Sequence, residues 1–171
     1  MLDWISELVE RRMREYAMDT DPAMSPAPKL HPPATGEEIH ALEIHSGHQL
    51  TPEYRGFLLQ SDGMENFCFH MPILGCRDWR EATGEFRRAQ EFCELIEDME
   101  TAADVGLPDS VRLMPVSVDV DVTQGIFMID TKGAVPERFW WVGNGSSDLF
   151  HELSDIFKYA MNPGLYVQGQ A

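Results

Sequence analysis

A chain of 171 residues with 13 Lys and Arg against 29 Asp and Glu carries a formal net charge of −16. A field of that sign opposes binding to nucleic acid and to anionic membrane, and it speeds the encounter with a basic partner. The length suits one buried core, the apolar content of 43% is ordinary for a globular protein, and no window reaches the roughly eighteen uncharged apolar residues of a membrane span.

The opening residues carry Asp3, Glu7 and Glu10 and lack a basic region ahead of an apolar run, so a secretory signal is not expected. Residues 1–18 read as an amphipathic helix, with Leu2, Ile5, Leu8, Val9, Met13 and Tyr16 at helical spacing. Residues 19–33 hold five prolines, which oppose helix and ladder pairing, and read as an extended linker. Thr35 and Glu38 then form a capping box for a short helix that Gly47 ends. Thr51 caps a second short helix with Pro52 at its first position, and Tyr54, Phe57 and Leu58 line one face before Asp62-Gly63 stops it. A short strand is expected over residues 65–71, with Pro72 interrupting it and residues 73–75 forming a second strand or a bend.

The longest helix is expected over residues 80–105, where Phe86, Ala89, Cys93, Ile96 and Met99 step by three or four. Its acidic residues, Glu85, Glu91, Glu94, Glu97, Asp98, Glu100 and Asp104, read as a solvated face. Strands over 111–118, 125–130 and 138–142 follow, joined by short polar turns into an antiparallel meander. Phe127 and Ile129 alternate with Met128 and Asp130, which predicts one packed and one partly wet face. Trp140 and Trp141, adjacent in a strand, face opposite ways. Residues 146–161 read as a closing helix capped by Ser147, followed by a loosely held tail.

A Glu-rich helix, then a Leu-Pro-x-x-Tyr-x-x-Phe-Leu segment, then Asn-Gly or Asp-Gly, resembles the opening of the SMI1/KNR4-like domain of the SUKH superfamily. The matching residues are Glu37, Glu38, Leu42, Leu50, Pro52, Tyr54, Phe57, Leu58, Asp62 and Gly63. Leu113, Pro115, Val116, Gly125, Ile129 and Asp130 resemble the second half of that pattern. The chain departs from it in two places: Leu-Thr-Pro replaces Leu-Pro, and Gln124-Gly125-Ile126 stands where Gly-Asp is frequent. The resemblance implies a single α+β domain over residues 34–162, with a central antiparallel sheet and helices at one face and the ends. The helix at 1–18, the linker at 19–33 and the tail at 163–171 fall outside it.

No catalytic or cofactor motif emerges. His40 and His45 point about 140° apart on a helix, and His40, His45 and His48 read as surface histidines. Asp119-Val120-Asp121-Val122-Thr123 alternates oxygen ligands, but Gln124 occupies the sixth position, where a calcium loop needs Gly. A strand end with valines inward and aspartates outward is the simpler reading. Residues 143–147 lack the Lys of a phosphate cradle and read as a loop and cap. Cys68, Cys76 and Cys93 are odd in number and read as free thiols in a reducing cytoplasm. No enzyme, metal or cofactor is therefore expected.

Many bacterial members of the SUKH superfamily are encoded beside polymorphic toxins and bind them. The resemblance thus implies an immunity protein, and the charge of −16 suits a basic, nuclease-type toxin as partner. A regulatory scaffold of the fungal SMI1/KNR4 kind, acting in cell-wall signalling, is the alternative. Asp62, Glu65, Asp119 and Asp121 are the candidate partner contacts, because loops at sheet ends can present carboxylates to arginines.

Overall fold

The computed structural model describes residues 3–18, 26–99 and 101–161. Among the described residues the fold is α+β: six α-helices pack around two antiparallel sheets in a single compact domain. Part of the expected linker, residues 19–25, and the expected tail lie outside the described residues.

Helix α1 (Asp3–Met18), which falls outside the family resemblance, packs into the core. Ile5 and Leu8 are fully buried, and Trp4 meets Phe157 edge-on at 4.6 Å between ring centroids. Strand β1 (Lys29–Leu30) corrects the reading of residues 19–33 as unpaired linker. It pairs antiparallel with β2 (Met64–Cys68), Lys29 opposite Glu65. Pro28 and Pro32 flank it without conflict because it is an edge strand.

The two capped helices form where expected. In α2 (Gly36–Ser46) the Thr35 hydroxyl accepts from Glu38 N and the Glu38 carboxylate accepts from Thr35 N, completing the box. In α3 (Pro52–Leu58) Thr51 accepts from Tyr54 N, and Tyr54, Phe57 and Leu58 are completely buried. Strand β3 (Met71–Ile73) runs through Pro72 and pairs with β2.

The expected helix over 80–105 is three pieces. Helix α4 (Cys76–Glu81) ends at Ala82, whose φ of 47° is left-handed. Thr83 then caps α5 (Gly84–Asp98) through Phe86 N. A 3-10 helix (Thr101–Val105) follows. The apolar period continues through Ala82-Thr83-Gly84, but a left-handed residue followed by a hydroxyl cap restarts the helix there.

The expected central sheet is divided into β1-β2-β3 and β4-β5-β6-β7. Strands β4 (Arg112–Val118), β5 (Gln124–Asp130) and β6 (Phe139–Gly143) form the anticipated meander. The expected closing helix begins later than residue 146. Ser146–Phe150 is a fourth strand, β7, and α6 covers only Leu153–Met161. Asn144 and Gly145, with φ of 50° and 77°, make a two-residue hairpin turn with Gly143 opposite Ser146.

Both faces of the four-stranded sheet are covered, so the expected wet face is absent. Ile126, Met128, Phe139 and Trp141 pack towards the helical core of α1, α3 and α6. Phe127, Ile129, Trp140 and Val142 pack under α5, where Phe92 stacks on Phe127 at 5.8 Å and 8°. Met128 is therefore as buried as Ile129.

The sheets share the helical core, where Phe67 of β2 lies 6.2 Å from Trp141 of β6, and a backbone hydrogen bond also joins them. In β4 the register with β5 skips Val116, because Pro115 opposes Phe127 and Ser117 opposes Ile126. The bulge leaves the Val116 carbonyl free to accept from Leu74 N at 2.8 Å. The Leu74 carbonyl in turn accepts from the Tyr54 hydroxyl at 2.8 Å, and burial holds that phenol far above its ordinary pKa. Next to Leu74, Gly75 passes against Asp62 so closely that an added Cβ would sit 2.4 Å from the Asp62 carbonyl carbon. Gly75→Ala should therefore lower stability by about 3 kcal/mol or more, because the obstruction is backbone rather than a movable side chain. A urea midpoint within experimental error of wild type would refute this close passage.

Candidate protein-binding surface

The four candidate carboxylates have different surroundings. Asp62 is only 9% exposed. Its Oδ1 accepts from Cys76 N at 2.5 Å and its Oδ2 from Arg77 N at 3.1 Å, so it caps the first turn of α4 from fourteen residues upstream. That carboxylate is engaged by backbone and does not face solvent.

Glu65 stands on β2 beside an open groove of about 450 Å³, lined among others by His31, Asn66, Arg77, Arg88 and Val120. Glu65 accepts from Lys29 Nζ at 2.8 Å, which holds its carboxyl below the usual range, and lies 3.3 Å from His31 Nε2. The Arg77 guanidinium nitrogens approach the two His31 ring nitrogens at 3.4 and 3.3 Å. Arg77, Arg88, Glu65, Asp78 and Glu85 all line this groove, so its charge is mixed rather than acidic.

Asp119 and Asp121 lie in the β4–β5 connection, and they differ. Asp119 pins the turn: its carboxylate accepts from Thr123 N at 2.7 Å, from the Thr123 hydroxyl at 2.5 Å and from Gln124 N at 3.3 Å. Asp121 is exposed. Val120 between them is 50% exposed, which corrects the inward reading for that valine, whereas Val122 packs against the core under α5. The Val120 side chain lines the same groove as Glu65, so the turn and β2 border one surface.

A second surface did not follow from the sequence. Glu91, Glu94 and Glu97 on α5, Asp104 on the 3-10 helix and Asp109 ahead of β4 are all exposed. Among the described residues none of the five is in an ion pair. Leu95 on α5 and Met99 at its C-cap are 46% and 64% exposed. Cys93, beside Glu97, has its thiol pushed up to about 12, first by burial and then by that carboxylate. The signal available in the sequence was the density of carboxylates around Leu95 and Met99, which by itself describes a solvated helix face equally well.

Basic residues do not offset these carboxylates. Among the described residues, ten of the 13 Lys and Arg residues form intramolecular ion pairs: Arg11, Arg12, Arg14, Lys29, Arg55, Arg77, Arg80, Arg88, Arg112 and Lys158. The excess negative charge is therefore left on carboxylates without cationic partners.

Of the histidines read as surface groups, His40 and His45 are exposed, but His48 is only 5% exposed. Its ring nitrogens lie 2.9 Å from the Ser46 carbonyl and 3.2 Å from the Arg112 carbonyl. Among the described residues no group of three or more His, Cys, Asp or Glu is arranged to hold a metal ion. No helix there is long and apolar enough to cross a membrane. A comparison with models of known protein families finds no match, and neither does one with curated proteins.

Two measurements follow from these surroundings. Asp62→Ala leaves two backbone N–H groups at the start of α4 without an acceptor, and should cost about 2–3 kcal/mol in chemical denaturation. Asp62→Asn, which keeps one acceptor oxygen, should cost less; equal losses would refute the two-bond cap. His31 is held below its ordinary pKa of 6.5, first by burial and next by Arg77, against an opposing pull from Glu65. As pH falls through that ordinary value the unfolded chain takes up the proton before the folded chain does, so the stabilisation is complete above it and lost below it. His31→Gln should flatten the fall in stability between about pH 7 and pH 5, and an unchanged slope would exclude this histidine as its source.

Proposed function

We propose that the protein is a non-catalytic binding protein of the SMI1/KNR4-like (SUKH) kind: an immunity protein that neutralises a basic, nuclease-type toxin by covering its cationic surface. The observation that carries this reading is the run of exposed, unpaired carboxylates from α5 to the start of β4, on a protein whose basic residues are mostly tied up within the fold. Such a layer accelerates encounter with a cationic surface and orients it, while exposed apolar groups such as Leu95, Met99 and Val120 supply the area that holds a complex together. The order of motifs through residues 34–161 supports the family assignment. The mechanism is stoichiometric occlusion. The neutralised group is the toxin's own arginine and lysine surface, and no bond is made or broken by this chain.

The test is co-expression with the product of the adjacent gene, followed by purification and kinetics. A tight complex is expected, with an association rate that falls about tenfold or more between about 50 and 500 mM NaCl. Glu91→Lys with Glu94→Lys should slow association several-fold and weaken the salt dependence. A salt-insensitive association rate would remove the electrostatic basis. Absence of any neighbouring basic gene product that binds would end the immunity reading.

A further inference from the structure

Between α5, the 3-10 helix and the start of β4 lies a groove of about 460 Å³. Ile96, Ala102, Ala103, Val111 and Leu113 give it an apolar lining, and Glu97 and Asp109 are its charged members. Ile96 is 5% exposed and belongs to the core under α5, and Ala102, Val111 and Leu113 pack against that core. Neither Glu97 nor Asp109 is in an ion pair among the described residues, and no Lys or Arg lines the groove.

We propose that this groove is an anchor site for a single long basic side chain, lysine or arginine, of a protein partner. The inference rests on the reading of the chain as a binder of a basic protein and names where and how that partner is held. A lysine or arginine joins an apolar stem to a charged tip, and such residues lay the stem on apolar surface while the tip stays polar. The groove offers the complementary pair: a lining of aliphatic groups for the stem and two carboxylates for the tip. Charge complementarity selects this occupant over others. An acidic or phosphate-bearing segment would face Glu97 and Asp109 with like charge, and a purely apolar side chain would take both carboxylates out of water without a counter-charge. Arginine is the stronger candidate because its planar fork matches carboxylates at two points.

The experiment uses the full chain, isotope-labelled, with hexalysine as probe and a hexamer of 2,3-diaminopropionic acid as a control with the same number of amino groups on shorter stems. Amide shifts on titration at moderate salt should cluster at Ile96, Ala102, Ala103, Val111 and Leu113. Hexalysine should bind at least about fivefold more tightly than the short-stemmed control, because only its methylenes reach the apolar lining. Glu97→Gln with Asp109→Asn, two exposed positions, should weaken hexalysine about tenfold. Val111→Ser should reduce the advantage of the longer stem without changing the charge, and unchanged melting temperatures of these variants would exclude misfolding as the cause. Shifts spread over every acidic face, or equal affinity for the two hexamers, would overturn the site. A toxin complex unaffected by the Glu97 and Asp109 changes would also overturn it while leaving the immunity reading intact. Hexalysine seated in the groove without any neutralised toxin would uphold the site and remove that reading instead.

Discussion

The fold depends on the contact between Asp62-Gly63 and Leu74-Gly75-Cys76. Asp62 caps α4 through two backbone N–H groups, and Gly75 N donates to the Asp78 carboxylate at 2.8 Å. The neighbouring Ser61 hydroxyl donates to the Gly63 carbonyl at 2.6 Å and accepts from His31 N at 2.9 Å, which ties in β1. Gly63 has a φ of 88°, and a Cβ there would lie 2.8 Å from the Ile73 carbonyl. Only two glycines let these chains pass at this distance. From this one crossing, Tyr54 holds α3 and Val116 holds the second sheet, both through Leu74. The bonds made by Tyr54, Ser61, Gly75 and Cys76 are buried, so each counts by the cost of losing its partner rather than by its modest net gain.

That buried polar junction also explains why Asp62-Gly63 stands out in the sequence and yet is a poor partner contact. Its carboxylate is required inside. The charge available outside comes from elsewhere: from α5, the 3-10 helix and the β4–β5 turn, where carboxylates outnumber the cations near them. The division is physical. Carboxylates that meet backbone N–H groups, as Asp62, Asp78 and Asp119 do, hold the fold. Carboxylates that meet neither backbone nor cation shape the field around the protein.

The caps of α2 and α3 were legible because they are local: Thr35 and Glu38, or Thr51 and Pro52, act within one turn. The meander was legible for the same reason, since hydrophobic runs separated by turn residues are short-range signals. Strand β7 was not, because Leu149 and Phe150 fall in phase with Leu153, Ile156 and Phe157 of α6 and extend the helical period backwards. Asn144-Gly145 was the competing cue, and a primed hairpin turn, which needs left-handed residues at both positions, decided the outcome. The roles of Asp62 and His48 could not be read locally: the first caps a helix fourteen residues on, and the second meets the Arg112 carbonyl sixty-four residues on. Of the candidate site, Glu65 and Val120 of the 119–123 turn do line one groove, but the cations near Glu65, Lys29 and Arg77, arrive from other segments.

The break between α5 and the 3-10 helix joins these points. The acidic, period-matched stretch over 80–105 suggests one uninterrupted helix lying along the sheet. Instead α5 stops at Asp98, and Leu107 N donates to the Ala102 carbonyl at 3.1 Å as the chain turns back towards β4. The turn sets Ala102 and Ala103 across from Val111 and Leu113 with space left between them. Small side chains on one wall and residues at the start of β4 on the other give that space its apolar part, and Glu97 and Asp109 bring charge to it. A groove of this kind needs three segments that end near one another, which no periodicity encodes. The interruption that defeats the sequence pattern is thus the same one that opens the groove on the acidic face, the place proposed for a basic side chain.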